Sequence, residues 1–294
     1  MAYDSSRDDK KGWGGNPFAA PEAEVDEIRS ETGGYALLLE PNHLTAGAGI
    51  TWIREGWALM RGHILTWIGM GFLCMLILAV LQLIHPSIGG FLQILFAPVF
   101  IAGMMLACRA KEQKEGVRLF HLFAGFSKRT GSLLLLGLFD LLMLFFAIML
   151  TSVSFALLFR PAFAYDLFVG SSGLVPIWPV IFLGVFLMLT VIPFFIVQGL
   201  SPQLVALHED LTAWGAFKLS VRGMLRNILS FVVSGIAFFI LPTVVLGIVF
   251  YAQDISVQTP LSVQIPMVLC ALFFIPFNFC VFYAAYRDIF IRPH

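Results

Sequence analysis

Ile64-Leu-Thr-Trp-Ile-Gly-Met-Gly-Phe-Leu-Cys-Met-Leu-Ile-Leu-Ala-Val-Leu-Gln-Leu-Ile-His85 contains no Asp, Glu, Lys or Arg, and Pro86 follows it directly. A helix rises about 1.5 Å per residue and a bilayer core is about 30 Å thick, so roughly 20 apolar residues suffice to cross it. The stretch reads as a membrane span, and the tight turn at His85-Pro86 predicts that the next one returns beside it. Five further apolar stretches follow, giving expected spans near 64–85, 87–108, 131–159, 174–200, 228–252 and 261–286. The expected fold is all-α and polytopic, with six transmembrane helices.

Composition points the same way. Of the 294 residues, 59% are hydrophobic and 12% charged, about half the charged share usual in soluble domains. In water such a chain would expose apolar patches that soluble monomers avoid; a lipid bilayer as partner removes the conflict. The formal net charge is zero, which gives no footprint for nucleic acid. Cys74, Cys108, Cys270 and Cys280 stand singly in apolar runs, without the spacing of a metal site or disulfide framework. No metal and no cofactor is expected.

Residues 1–43 are different. They hold Asp4, Asp8, Asp9, Glu22, Glu24, Asp26, Glu27, Glu31 and Glu40, interrupted by Gly, Pro and Asn. So polar a segment buries too little apolar surface to offset its ordering entropy. It is expected to be an acidic, disordered cytoplasmic tail ahead of a transmembrane domain over 44–294, with Tyr35–Leu39 as a stretch able to dock on a partner. The first long apolar run begins too late for a cleavable leader.

Lysine and arginine set the orientation. Arg54 and Arg61 precede the first span; Arg109, Lys111, Lys114, Arg118, Lys128 and Arg129 follow the second; Lys218, Arg222 and Arg226 follow the fourth; Arg287 and Arg292 close the chain. Only Arg160 falls on the other side. Both termini are therefore expected in the cytoplasm.

The segments leading into spans one, three and five share a pattern. Ile50, Ile53, Trp57 and Met60, then Leu119, Leu122, Phe123 and Phe126, then Leu211, Trp214, Phe217, Val221 and Leu225 recur at helical spacing. Basic residues flank each set: Arg61, then Arg129, then Lys218, Arg222 and Arg226. This is the pattern of amphipathic helices lying at headgroup level. Spans two, four and six each carry an interior proline, Pro98, Pro193 and Pro276, where a kink is expected. The sequence thus predicts three helical hairpins, each preceded by an amphipathic interfacial helix.

Ala48-Gly-Ile-Thr-Trp-Ile-Arg-Glu-Gly-Trp57 and Ala97-Pro-Val-Phe-Ile-Ala-Gly103 resemble an uncharacterised family of proteobacterial inner-membrane proteins. Leu122-Phe-Ala-Gly-Phe126, Ala216-Phe-Lys-Leu-Ser220 with Arg226-Asn227, and Tyr283-Ala-Ala-Tyr-Arg-Asp-Ile-Phe290 strengthen the likeness. It covers residues 44 to the C-terminus. It implies a bacterial inner-membrane location and a multi-pass architecture, and it carries over no functional residues.

Asp140 is the one acidic residue well inside an expected span, which makes it a candidate functional group. It could serve as a proton or cation site, or simply anchor helix packing. Asn278 could bond the carbonyl that Pro276 frees or line a polar cavity. His63, His85, His121 and His208 read as interfacial polar residues, and the acidic groups of His208-Glu209-Asp210 as a cap for the following helix. Ser230, Ser234 and Gly235, and Gly69 with Gly71, offer small surfaces for close helix approach. Trp52, Trp57, Trp67, Trp178 and Trp214 fall where an aromatic belt would lie. No catalytic motif is present: Ala46-Gly47-Ala48-Gly49 lacks the strand and lysine of a phosphate loop. The expected function is a non-enzymatic accessory or scaffold subunit that reaches a membrane-protein partner through residues 1–43 or the cytoplasmic helices. A small-molecule, ion or lipid transporter is the alternative, and a lipid-modifying enzyme the third.

Overall fold

The structure, a computed structural model, describes residues 36–158, 181, 184–186, 199–238 and 261–292. Residues 1–35 of the tail expected over 1–43, Arg160, Trp178, Pro193, most of the span at 174–200 and the second half of the span at 228–252 lie outside the described residues, while Ala36–Leu37 and Asn42 of that tail are tied to the C-terminal segment.

Within them the chain is helical, with one two-residue strand pair. In order come β1 (Ala36–Leu37), α1 (Ala48–Met60), α2 (Ile64–Ile84), α3 (Pro86–Glu112), a 3-10 turn (Leu119–Phe123), α4 (Ala124–Ser127) and α5 (Thr130–Leu158). Then follow α6 (Ser201–Leu207), α7 (Ala213–Arg226), α8 (Ile228–Phe238), α9 (Leu261–Phe290) and β2 (Ile291–Arg292).

Four of these helices are long and apolar enough to cross a membrane: Ile64–Ile84, Pro86–Glu112, and the Thr130–Ser154 and Val268–Phe290 parts of α5 and α9. A fifth is reached only by counting α7 and α8 as one span broken by a 78° bend. The six-span, three-hairpin expectation is corrected accordingly.

The repeat fails for a local reason as well. The first leading segment is a true helix, α1, which ends at Met60 and turns into α2 through Gly62, whose φ of 90° suits glycine. The second is a 3-10 turn followed by a single helical turn. Its backbone lies directly on α3: a Cβ at Gly103 would sit 2.2 Å from the Leu122 carbonyl oxygen, and one at Gly125 2.1 Å from that of Val99. The third segment, α7, runs into α8 through the bend at Asn227. Apolar spacing repeats three times in the sequence, but the backbone takes three different courses.

Burial is uneven. Only 17% of the apolar stretch in each of α2 and α5 is buried, against 50% in α3, which makes α3 the central helix. Pro98 is buried inside α3 and Pro276 inside α9. The tightest packing lies where the C-terminal halves of α3 and α9 meet α1, α6 and α7. Met104, Met105, Cys108, Leu204, Met224 and Ile289 are nearly or wholly buried there. We call this the basic end of the bundle. The other half turns Phe72, Phe91, Phe145, Phe146 and Leu150 outward, as lipid-facing surfaces do.

Candidate functional sites at the basic end and in the bundle

Three polar networks hold the basic end together. In the first, Arg287 of α9 donates to Glu55 of α1 at 2.5 Å and to Glu112 of α3 at 3.1 Å. The Tyr283 hydroxyl donates to the other Glu112 oxygen at 2.6 Å. One turn of α9 thereby joins three helices. Burial pushes the Glu55 carboxyl above its usual range, with Arg287 acting in the opposite direction. Next to it, Trp52 Nε1 donates to Asp288 at 3.0 Å, so the fully buried Trp52 indole is spent on packing.

The second network centres on Arg129, which has a positive φ of 50°. Its guanidinium donates to the carbonyls of His208 at 3.1 Å, Glu209 at 2.7 Å and Leu211 at 2.5 Å. Lys128 pairs with the Glu209 side chain at 3.4 Å, both partners being exposed. The cap of α7 is therefore not acidic: Thr212 Oγ1 accepts from Gly215 N at 3.1 Å, the role the sequence assigned to the His208–Asp210 acids. His208 itself is buried, with Nε2 2.5 Å from the Tyr286 hydroxyl. Burial first, and then the positive Arg109, push its imidazole down to about 4, which keeps it neutral near pH 7.

The third network is a clamp. Asn227 Oδ1 accepts from Leu44 N at 2.7 Å, while Nδ2 donates to the Asn42 and Gly223 carbonyls at 2.8 and 2.9 Å. Asn42 Nδ2 donates to the Asp288 carbonyl at 3.0 Å, and Ala36–Leu37 pairs antiparallel with Ile291–Arg292. Leu37, inside the stretch read as able to dock on a partner, is buried against this chain's own C-terminus.

The remaining candidates are scattered. Arg61, Arg222 and Arg226 are exposed, and the exposed Lys218 holds its ammonium 5.3 Å from the Trp214 ring centre. Trp57 and Trp214 are exposed as a headgroup belt requires, but Trp52 and Trp67 are core residues. The carbonyl freed by Pro276, that of Leu272, lies beside Gly71 of α2, 3.2 Å from where a Cβ would stand. A cleft of about 750 Å³ opens between α8 and α9, lined among others by Trp52, Phe231, Ser234, Phe274 and Asn278. A second cavity of about 330 Å³ between α2, α3 and α9 is almost wholly apolar. Asp140 lines neither; its Oδ1 is buried without a hydrogen-bond partner among the described residues.

Glu112, Tyr283 and Tyr286 escaped sequence reasoning. Glu112 stands in a run of lysines and arginines, where an acid reads as a solvated loop residue. Tyr283, Tyr286 and Phe290 do recur at helical spacing, which signals one buried face, but spacing does not say what that face meets. Among the described residues, no group of three His, Cys, Asp or Glu side chains could hold a metal.

Long apolar helices, lipid-type exposure along them and a packed polar end decide the class. This is a polytopic α-helical membrane protein. No family model, curated protein or solved structure matches the chain.

Proposed function

We propose that the protein is a non-enzymatic accessory or scaffold subunit of the bacterial inner membrane, with both termini cytoplasmic, acting through protein or lipid contacts. One observation carries the reading. At the basic end, Arg287, Arg129 and Asn227 direct their hydrogen bonds to this chain's own groups, as a rigid platform requires. The exposed surface around them combines apolar groups (Phe120, Trp57, Trp214, Leu225) with exposed basic ones (Arg54, Arg118, Arg222, Arg226). That combination suits anionic headgroups and a partner held at the same level. The lysine and arginine bias and the resemblance over residues 44–294 support the inner-membrane placement.

Mild-detergent purification from native membranes should yield a stoichiometric partner, and cysteine labelling should find both termini on the cytoplasmic side. A solitary monomer in native membranes would count heavily against the reading.

The transporter alternative draws on the Asn278 cleft. It requires flux in reconstituted vesicles that Asn278→Leu reduces; if Asp140→Asn leaves that flux unchanged, Asp140 has no part in it.

A further inference from the structure

We infer that the cleft between α8 and α9 binds a flat, apolar molecule bearing a ring carbonyl, the chemistry of a membrane quinone. Its volume of about 750 Å³ falls within the range of roughly 300–1,000 Å³ typical of small-molecule sites. Its walls are aromatic: Phe231 meets Phe282 at 6.1 Å and Phe238 meets Phe274 at 5.5 Å between ring centres. Such walls favour a flat unsaturated ring, which can stack or meet them edge to face.

Among the described lining residues, the Asn278 amide and the Ser234 hydroxyl are the polar groups left over once Trp52 Nε1 is engaged by Asp288. Neither has a hydrogen-bond partner among the described residues. Depth makes that significant. Asn278 precedes Asp288, a member of the polar network at the basic end, by ten residues of α9, or about 15 Å along the helix. That is near the middle of a ~30 Å hydrocarbon core, where water does not satisfy an amide. Leaving one unpaired there costs on the order of a few kcal/mol.

An acyl chain would fill the volume and leave the amide unpaired. A ring carbonyl accepts from Asn278 Nδ2 while its ring packs on the phenylalanines, and Ser234 supplies a second donor. The ligand chemistry follows from that pairing of one amide with aromatic walls.

The test uses the full chain in lipid nanodiscs dialysed against protein-free nanodiscs, with a short-chain benzoquinone as probe. Saturable excess uptake is expected in the protein-containing compartment. Asn278→Leu, which keeps the bulk and removes the amide, should weaken it at least tenfold. Gly235→Phe should abolish it, because a Cβ at Gly235 meets nothing within 4 Å and the ring would fill the cleft. Thermal melting of each variant shows whether the fold survives; should Gly235→Phe misfold, Asn278→Leu decides. Uptake equal to that of protein-free discs, or unchanged in Asn278→Leu, would overturn the inference. So would displacement of the quinone by an equal concentration of decane, since the cleft would then be a hydrocarbon slot.

Discussion

The basic end and the lipid-facing half of this bundle are built by different physics. In the lipid-facing half, α2 and α5 turn most of their apolar surface outward, and lipid is as good a solvent for it as protein. Helix association there gains little from hydrophobic burial and depends on close fit. At the basic end the chain leaves hydrocarbon, and its C-terminal helix is tied down by ion pairs, an asparagine clamp and a two-stranded pairing. Specificity of the fold therefore resides at the basic end, and the lipid-facing half supplies length and apolarity.

That contrast is most exposed to attack at Arg287. Arg287→Met leaves Glu55 and Glu112 facing each other without a cation, and should cost on the order of 3 kcal/mol, read as a large fall in Tm. Adding Glu55→Gln and Glu112→Gln should restore much of it; a triple variant as unstable as the single one would show that the arginine acts by packing instead.

Acid should weaken the same end by a comparable amount. An unfolded histidine takes up its proton near pH 6.5, and His208 does so only at about 4. Its contribution is complete above about pH 6.5, is lost as pH falls between those values, and levels off below. The total is about 3 kcal/mol. A pH series of melting temperatures should show this slope, and His208→Gln should flatten it.

Gly49 and Gly235 compare packed and open helix surfaces. A Cβ at Gly49 would stand 2.2 Å from the Ser230 carbonyl oxygen and 2.8 Å from Ser234 N. Both obstacles are backbone, so α1 and α8 must separate, and Gly49→Ala should cost about 2 kcal/mol. Gly235→Ala meets open space and should stay within about 0.5 kcal/mol of the wild type. Equal losses at both sites would erase the contrast.

The smallest effects belong to the outward face. Phe146→Leu, at a residue 63% exposed, should leave stability unchanged within about 0.5 kcal/mol. Asp140→Asn keeps a polar group at the same depth and should shift stability by less than about 1 kcal/mol. A large loss there would favour the proton- or cation-site reading of Asp140 over the helix-packing one.

Much of this was legible in the chain. The stretches at 64–85 and 87–108 coincide with α2 and α3 to within a few residues, because charge-free runs of that length have one stable home. The described basic residues gather at one end, as the lysine and arginine bias leads one to expect. The three-hairpin reading fell because apolar spacing constrains which face a segment buries and not whether its backbone stays helical. Leu119–Phe126 keeps the spacing of α1 while folding as a 3-10 turn and one short helix against Val99 and Gly103.

What the sequence determined by itself is the solvent of each segment. Transfer free energy is a local sum over side chains, so it can be read along the chain. What only the tertiary structure decided is the set of partners. Glu112 with Arg287, His208 with Tyr286, and Asn227 with Leu44 lie 175, 78 and 183 residues apart. Such pairings arise only after helices cross at glycines such as Gly49, and no local periodicity encodes where two helices will touch.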